Sequence, residues 1–199
     1  MDSVTAGRHS TTENKDWGTP PVYVDAVRRV LGGVICLDPC SNPRSVVGAE
    51  VEYMLPARDG LEEKWNYPKI YVNPPYGADR ARGTKISDWL RRCAEAGKSG
   101  SEVLALVPVA TNTSHWKMHV FGRADAVCFL RDTRLRFLVD GRDGGKGAPM
   151  ACAMVYYGGN VRRFSTVFRE HGAVVDLRDL KVRKRHGRPG VKSRPEIRA

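Results

Sequence analysis

The sequence predicts an α/β domain built on a mainly parallel sheet with helices on both faces. Three observations predict it. Short apolar runs alternate with segments of helical spacing. Several of these runs, "VICLD" above all, are as continuous as buried parallel strands are. Two of them end in polar, proline-bearing loops, "LDPC" and "VNPPYG". In such sheets ligands bind at the carboxyl ends of the strands, so these two tips are candidates for one shared crevice.

The elements follow in order. Residues 1–15 are polar and predict a flexible arm. "TPPVYVDAVRRVLGG" (19–33) predicts a helix, with Thr19 as N-cap, prolines in the first turn, apolar residues at helical spacing and two glycines after the end. "VICLD" (34–38) is a short buried strand, and "EVEYM" (50–54) alternates as a strand does. "DGLEEKW" (59–65) reads as a short turn and "KIYVN" (69–73) as the next strand. "KISDWLRRCAEAG" (85–97) places Ile86, Trp89, Leu90 and Cys93 on one helical face and closes at Gly97. "EVLALVPV" (102–109) is a buried strand, "TSHWKMHVFGRA" is helical, and "AVCFLR", "RLRFLV" and "MACAMVYYG" are later strands. A helix over 160–172 and a terminal strand over 173–177 complete the domain at about residue 180.

The chain has 199 residues and a net charge of +11, with 41% hydrophobic and 28% charged residues. These figures predict one globular domain, and no apolar run has the roughly 20 residues of a membrane span. The N-terminus lacks the apolar core of a secretion signal. Five cysteines without a CxxC pair predict reduced thiols in a cytoplasm rather than disulfides or zinc. His115 and His119 have helical i, i+4 spacing but lack a third ligand, so no metal is expected. The final segment, 181–199, holds eight Lys/Arg and one Glu, hence +7 of the charge. It predicts a disordered basic tail suited to a polyanion, with Lys184 and Arg185 among its contacts.

"KIYVNPPYG" carries the chemistry. Two adjacent prolines lack amide donors and fix φ, so the strand ends in a stiff loop. The Asn73 side-chain oxygen and the Pro74 carbonyl are two acceptors, Pro75 stiffens them, and Tyr76 offers a flat face for stacking. Together they fit a planar exocyclic –NH2 group. Accepting both its protons draws the nitrogen lone pair out of conjugation and aims it at an electrophile. A sulfonium methyl is such an electrophile.

An [DNS]-P-P-[YFW] segment after a strand resembles the signature of amino-group methyltransferases that use S-adenosylmethionine. "DWGTP" (16–20), "LDPCSNP" (37–43), "DGLEEKW" (59–65), a Trp-bearing helix, "ALVPVATNTSHW" (105–116) and "RLRF" (134–137) resemble the phage-type DNA N6-adenine methyltransferases, the phage Dam family. The resemblance spans about residues 16–157. It implies a Rossmann-like seven-stranded methyltransferase sheet, in full or shortened form, and methyl transfer to N6 of adenine in DNA in a bacterial or phage-infected cytoplasm. Asn73, Pro74, Pro75 and Tyr76 would be catalytic. Trp17, Thr19, Pro20, Asp38, Pro39 and Asp59 would bind the cofactor, whose carboxylate could sit at the helix N-terminus. RNA amines, a protein glutamine amide and an inactive DNA-binding scaffold stay as alternatives, the last opposed by the intact motif.

A duplex adenine must be flipped out to reach such a site. Trp116, Arg134, Arg136 and Phe137 are candidates to drive or catch it, the two arginines sharing one face if "RLRF" is a strand. Arg80, Arg82 and Lys85, in a flexible basic loop after the motif, are candidates for phosphate contact.

Overall fold

The computed structural model describes residues 17–131, 135–139, 141–143 and 150–183. The arm, Arg134, Lys184, Arg185 and the tail beyond residue 183 lie outside the described residues.

In chain order the elements are β1 (Trp17–Gly18), α1 (Pro21–Leu31), β2 (Leu37–Asp38), β3 (Val51–Glu52), β4 (Lys69–Val72), α2 (Ile86–Lys98), β5 (Glu102–Pro108), a π-helical turn (Trp116–Val120), β6 (Ala126–Leu130), β7 (Leu138–Val139), β8 (Arg142–Asp143), β9 (Cys152–Tyr157), α3 (Val161–Phe168), β10 (Gly172–Asp176) and α4 (Arg178–Arg183). Helix α4 runs across the expected domain limit at 180.

A seven-stranded sheet has the order β10-β6-β9-β5-β4-β2-β3. The β3-β2-β4-β5 half is parallel, with Leu37 paired to both Val51 and Ile70. The β9, β6 and β10 pairings are antiparallel. The expected mainly parallel sheet is therefore mixed. All six residues of β9 are buried, so its apolar run carries no mark of direction. From β2 the chain steps to β3 on one side, then returns past β2 to β4 on the other. The strand order reverses between β2 and β4, which makes their tips the topological switch point.

Helices cover both faces. Along β4, Tyr71 faces the cluster with α1 and α3, whereas Ile70 and Val72 face the cluster with α2. This is the period-two alternation of a strand buried on both sides. Helix α1 buries Tyr23, Val24, Ala26, Val27, Val30 and Leu31. It stops where Gly32 adopts φ +73° and Gly33 N–H reaches the Arg28 carbonyl. Helix α2 buries Trp89, Leu90, Cys93 and Ala96. It does not end at Gly97: a Cβ there would sit 2.6 Å from Tyr157 Cβ, so this glycine serves the close approach of α2 to β9. Asn160 caps α3 by accepting from Arg163 N–H.

Two other expectations change. Thr19 is not the N-cap of α1; Pro20 holds that place without a side-chain cap, and the Thr19 hydroxyl instead meets the Tyr71 hydroxyl at 2.7 Å. Among the described residues of the stretch expected as a strand over 134–139, only Leu138–Val139 form one, which pairs with β1 and β8 in a separate small sheet. Leu135 and Phe137 are buried with Arg136 exposed, so alternation without a long pairing partner gave the strand-like pattern.

Candidate active site

The tips of β2 and β4 stand side by side. After β4, Asn73 is half-buried, Pro74 buried, Pro75 exposed and Tyr76 half-buried. The Asn73 carboxamide has one settled orientation: Nδ2 donates to the Trp17 carbonyl at 2.8 Å. Its Oδ1 and the Pro74 carbonyl take no donor among the described residues. The Tyr76 hydroxyl donates to the Leu106 carbonyl on β5 at 3.3 Å, and burial pushes its pKa well up. The Tyr76 ring meets Trp17 and Phe137 edge to face, with centroids 6.3 and 5.7 Å apart. Neither neighbour stacks on it. Trp17 and Phe137 stack on each other at 5.3 Å.

At the β2 tip Asp38 is only 4% exposed and Pro39 is buried. Asp38 Oδ1 accepts from Cys40 N–H at 3.1 Å. Burial raises the Asp38 carboxyl to about 7; Cys40 N–H opposes the rise and Glu52 adds to it. No cation among the described residues lies against it. Cys40 is half-buried, and burial pushes its thiol up against a lowering effect of the Asn73 backbone.

The "DGLEEKW" segment packs on this tip. A Cβ at Gly60 would lie 1.7 Å from the Pro39 carbonyl oxygen, so only glycine lets the loop close on "LDPC". Trp65 Nε1 donates back to the Gly60 carbonyl at 2.7 Å. Arg92 of α2 donates to the Leu61 and Glu63 carbonyls and lies 5.0 Å over the Trp65 ring. Asp59 is thereby held near the β2 tip. Its Oδ1 accepts from Leu61 N–H, and its Oδ2 pairs with Arg82. A surface cleft of about 720 Å³, lined by Tyr53, Arg58, Asp59 and Tyr67, shares only Asp59 with these strand-tip residues. It is a separate feature.

The structure brings together Asn73, Pro74, Tyr76, Trp17, Asp38, Pro39 and Asp59, with Thr19 and Pro20 at the start of α1. The expected nucleic-acid contacts separate. Trp116 is fully buried, donates to the Pro108 carbonyl and packs on Phe121 and Phe129, so it is core rather than a base-catching ring. Phe137 is 4% exposed and braces Trp17 and Tyr76 from within. Arg82 faces Asp59 instead of solvent. Arg80 and Lys85 are exposed. Their loop is a tight turn, closed by paired Asp79–Thr84 backbone bonds and by Asp79 Oδ1 accepting from Ala81 and Arg82 N–H. Arg136 is exposed beside Asp143 at 3.7 Å.

Sequence reasoning missed Tyr71, Leu106 and Cys40. Tyr71 could be placed on the α1 side by alternation, but nothing in the sequence tied its hydroxyl to Thr19. The Trp17 and Leu106 contributions come from backbone carbonyls, which leave no residue-type signal.

No curated protein and no solved structure matches the chain. A family model described as DNA N-6-adenine-methyltransferase (Dam) matches residues 7–185. That span contains both strand tips, the glycine loop that closes on them and the segment that carries Trp17. The chain therefore belongs to the DNA N-6-adenine-methyltransferase (Dam) family.

Proposed function

We propose that this protein transfers a methyl group from S-adenosyl-L-methionine to the N6 amino group of adenine in DNA, on a Rossmann-like methyltransferase sheet. The single observation that carries the reading is the pair of acceptors, Asn73 Oδ1 and the Pro74 carbonyl, which take no donor among the described residues, beside the Tyr76 ring at the switch point. Two acceptors in a stiff loop suit the two protons of a planar amine, and the half-buried Tyr76 ring, on which no described aromatic ring stacks, suits a stacked base.

The β2 side fits the cofactor. Asp38 is a buried carboxyl with no cation against it among the described residues, and the cofactor is cationic. Helix α1 has no acidic residue in its first turn, but Pro20 and Pro21 lack amides and Tyr23 and Val24 N–H reach the Pro20 carbonyl, so the Val22 N–H is the one first-turn amide left to receive a carboxylate. Asp38, Pro39 and the Trp17–Pro20 segment would hold the cofactor, with Asp59 beside them. When bound, it supplies a methyl group on positively charged sulfur. Asn73 and Pro74 hold the amine so that its lone pair points away from the ring. Both are neutral acceptors and neither is a base, so the proton lost from nitrogen goes to water once the new C–N bond has formed.

Arg80 and Lys85 are exposed in the loop after the motif, which supports a role for them in contacting phosphates that flank a flipped adenine. The chain is read as an arm (1–15), a methyltransferase domain (16–180) and a basic tail (181–199) that adds sequence-independent attraction to DNA in the cytoplasm. Sequencing with adenine-methylation detection, on DNA incubated with the protein and cofactor, tests the reading. N6-methyladenine is expected with the natural chain and is expected to be absent with Asn73→Ala. Equal labelling by that variant, or methyl transfer confined to RNA or protein pools, would overturn it.

A further inference from the structure

We infer that Trp17 is a positioning residue for the methyl transfer: its backbone carbonyl selects which end of the Asn73 carboxamide faces the substrate amine. The inference rests on the functional reading above and adds a residue and a geometric rule to it. A carboxamide has a donor end and an acceptor end that are nearly isosteric. Turned one way, Asn73 accepts from an amine; turned the other, its own –NH2 points at the amine and repels it. With Nδ2 donating to the Trp17 carbonyl, the first orientation is the one held, and Oδ1 is committed to the open side.

The carbonyl is held in turn. Trp17 lies in β1, where it pairs with Val139 of β7, and its ring stacks on buried Phe137 just before that strand. A Cβ at Gly18 would lie 3.2 Å from Leu138 Cβ, so the two strands approach closely. The small sheet is thus a clamp on the tip of β4. Phe137 and Trp17 together also brace the Tyr76 ring, so one device sets both the acceptor and the stacking face.

In this chain the geometry makes a demand on position 73 that is narrower than the general [DNS] signature: with the Trp17 carbonyl 2.8 Å away, it must carry a donor toward Trp17 and an acceptor toward the amine. Asparagine meets it at every pH. Aspartate meets it only when protonated, with O–H donating to Trp17 and the second oxygen accepting from the amine. An ionised carboxylate has no donor and faces a carbonyl oxygen, and that contact raises the carboxyl's pKa.

Asn73→Asp in the full chain tests this. Its methyl-transfer rate, divided by that of the natural chain, is expected to fall as pH rises from 5.5 to 8.5, by roughly ten-fold per unit above the carboxyl's pKa. Asp38, Glu52, Cys40, Tyr71, Tyr76, Cys152 and the Asp59–Arg82 pair are the other ionisable groups around the crevice. All are shared with the natural chain, so the ratio isolates position 73. A ratio that is flat or rises with pH overturns the inference. A second measurement needs no activity. In the free protein, a ¹⁵N-labelled Asn73 side chain is expected to show one amide proton protected from solvent exchange. Two protons exchanging at the free rate overturn the inference. Failure of the natural chain to methylate adenine removes the functional reading, whereas protection of the Asn73 proton would still stand.

Discussion

The two halves of the sheet divide the work. The parallel half carries the short strands: β2 and β3 span two residues each and β4 spans four, while β5, seven residues long, joins this half to the antiparallel one. Its tips carry Asp38 and Asn73, and cross-links by side chain and carbonyl hold them: Asn73 to Trp17, Thr19 to Tyr71, Tyr76 to Leu106. The antiparallel half has β6 and β9 of five and six residues. It is sealed by rings, with Tyr156 stacked on Phe164 at 5.0 Å and Phe164 on Phe168 at 4.8 Å. Packing is continuous where no candidate chemistry sits. Where the chemistry sits, the backbone ladder ends early and leaves polar groups, half-buried Asn73 and buried Asp38, at the strand tips. The lesson is that the long buried strands can stabilise the domain while the short ones are released to present atoms.

The sharpest way to break this division is to compare two substitutions. Asn73→Ala is expected to lower methyl transfer by at least roughly 10³-fold, because a preorganised acceptor is lost. Its thermal midpoint and cofactor affinity are expected to stay near those of the natural chain. Phe164→Ala, in the other half, is expected to cost about 3–5 kcal/mol of stability, as truncation of a buried ring does. Its turnover per folded molecule is expected to be retained. Denaturant titration together with single-turnover rates separates the two. Equal loss of turnover in both variants would show that the halves are not independent.

Gly60→Ala comes next in size. The added methyl meets the Pro39 carbonyl, which is backbone and can yield only by moving the β2 tip. The expected cost is about 1–3 kcal/mol in stability, accompanied by weaker cofactor binding, since an overpacked contact displaces its neighbours. Calorimetry with S-adenosylmethionine would read both, and unchanged affinity would mean that the "DGL" loop supports the tip without shaping it.

Asp38 gives a smaller effect with a defined sign. Its folded carboxyl titrates near 7 against an unfolded value of 3.8. Between those values the folded chain binds more protons than the unfolded one. Stability is therefore present at low pH and falls as pH rises through that window. A bound cation favours the ionised form, so cofactor affinity is expected to rise several-fold from pH 6 to pH 8. Asp38→Asn is expected to flatten both profiles. A pH-dependent affinity surviving in that variant would place the titrating group elsewhere.

Much of this was legible in the sequence. The tips "LDPC" and "VNPPYG" are neighbours because their strands are buried runs that end in prolines, and pattern alone conveys that. Strand direction was not legible: β9 is buried along its whole length, so parallel and antiparallel pairing leave the same apolar run. Trp116 and Phe137 were expected at a DNA surface because aromatic residues suit both a base and a core. The burial of Phe137 depends on Trp17, distant in sequence, and that of Trp116 on a nearby backbone carbonyl, Pro108, which leaves no residue-type signal. Arg82 was expected to be free because its partner Asp59 sits 23 positions away, on a loop folded against the β2 tip. The orientation of Asn73 was invisible because its partner is a carbonyl, which every residue has.

The smallest effect tests the border between the site and the nucleic acid. Arg80 and Arg82 lie two positions apart in one tight turn, and their charges are placed differently. Arg82 pairs with Asp59, whereas Arg80 stands exposed at the turn. Each phosphate contact removed should reduce the slope of log affinity against log salt by about 0.9. Arg80→Ala is expected to weaken DNA binding a few-fold with that change in slope and leave S-adenosylmethionine affinity alone. Arg82→Ala is expected to leave the salt slope nearly unchanged while freeing Asp59, so its effect should appear on the cofactor side. Affinities measured across a salt series for both variants decide the matter. If the two residues exchange these behaviours, the turn opens when DNA arrives, and Arg82 leaves Asp59 for a phosphate.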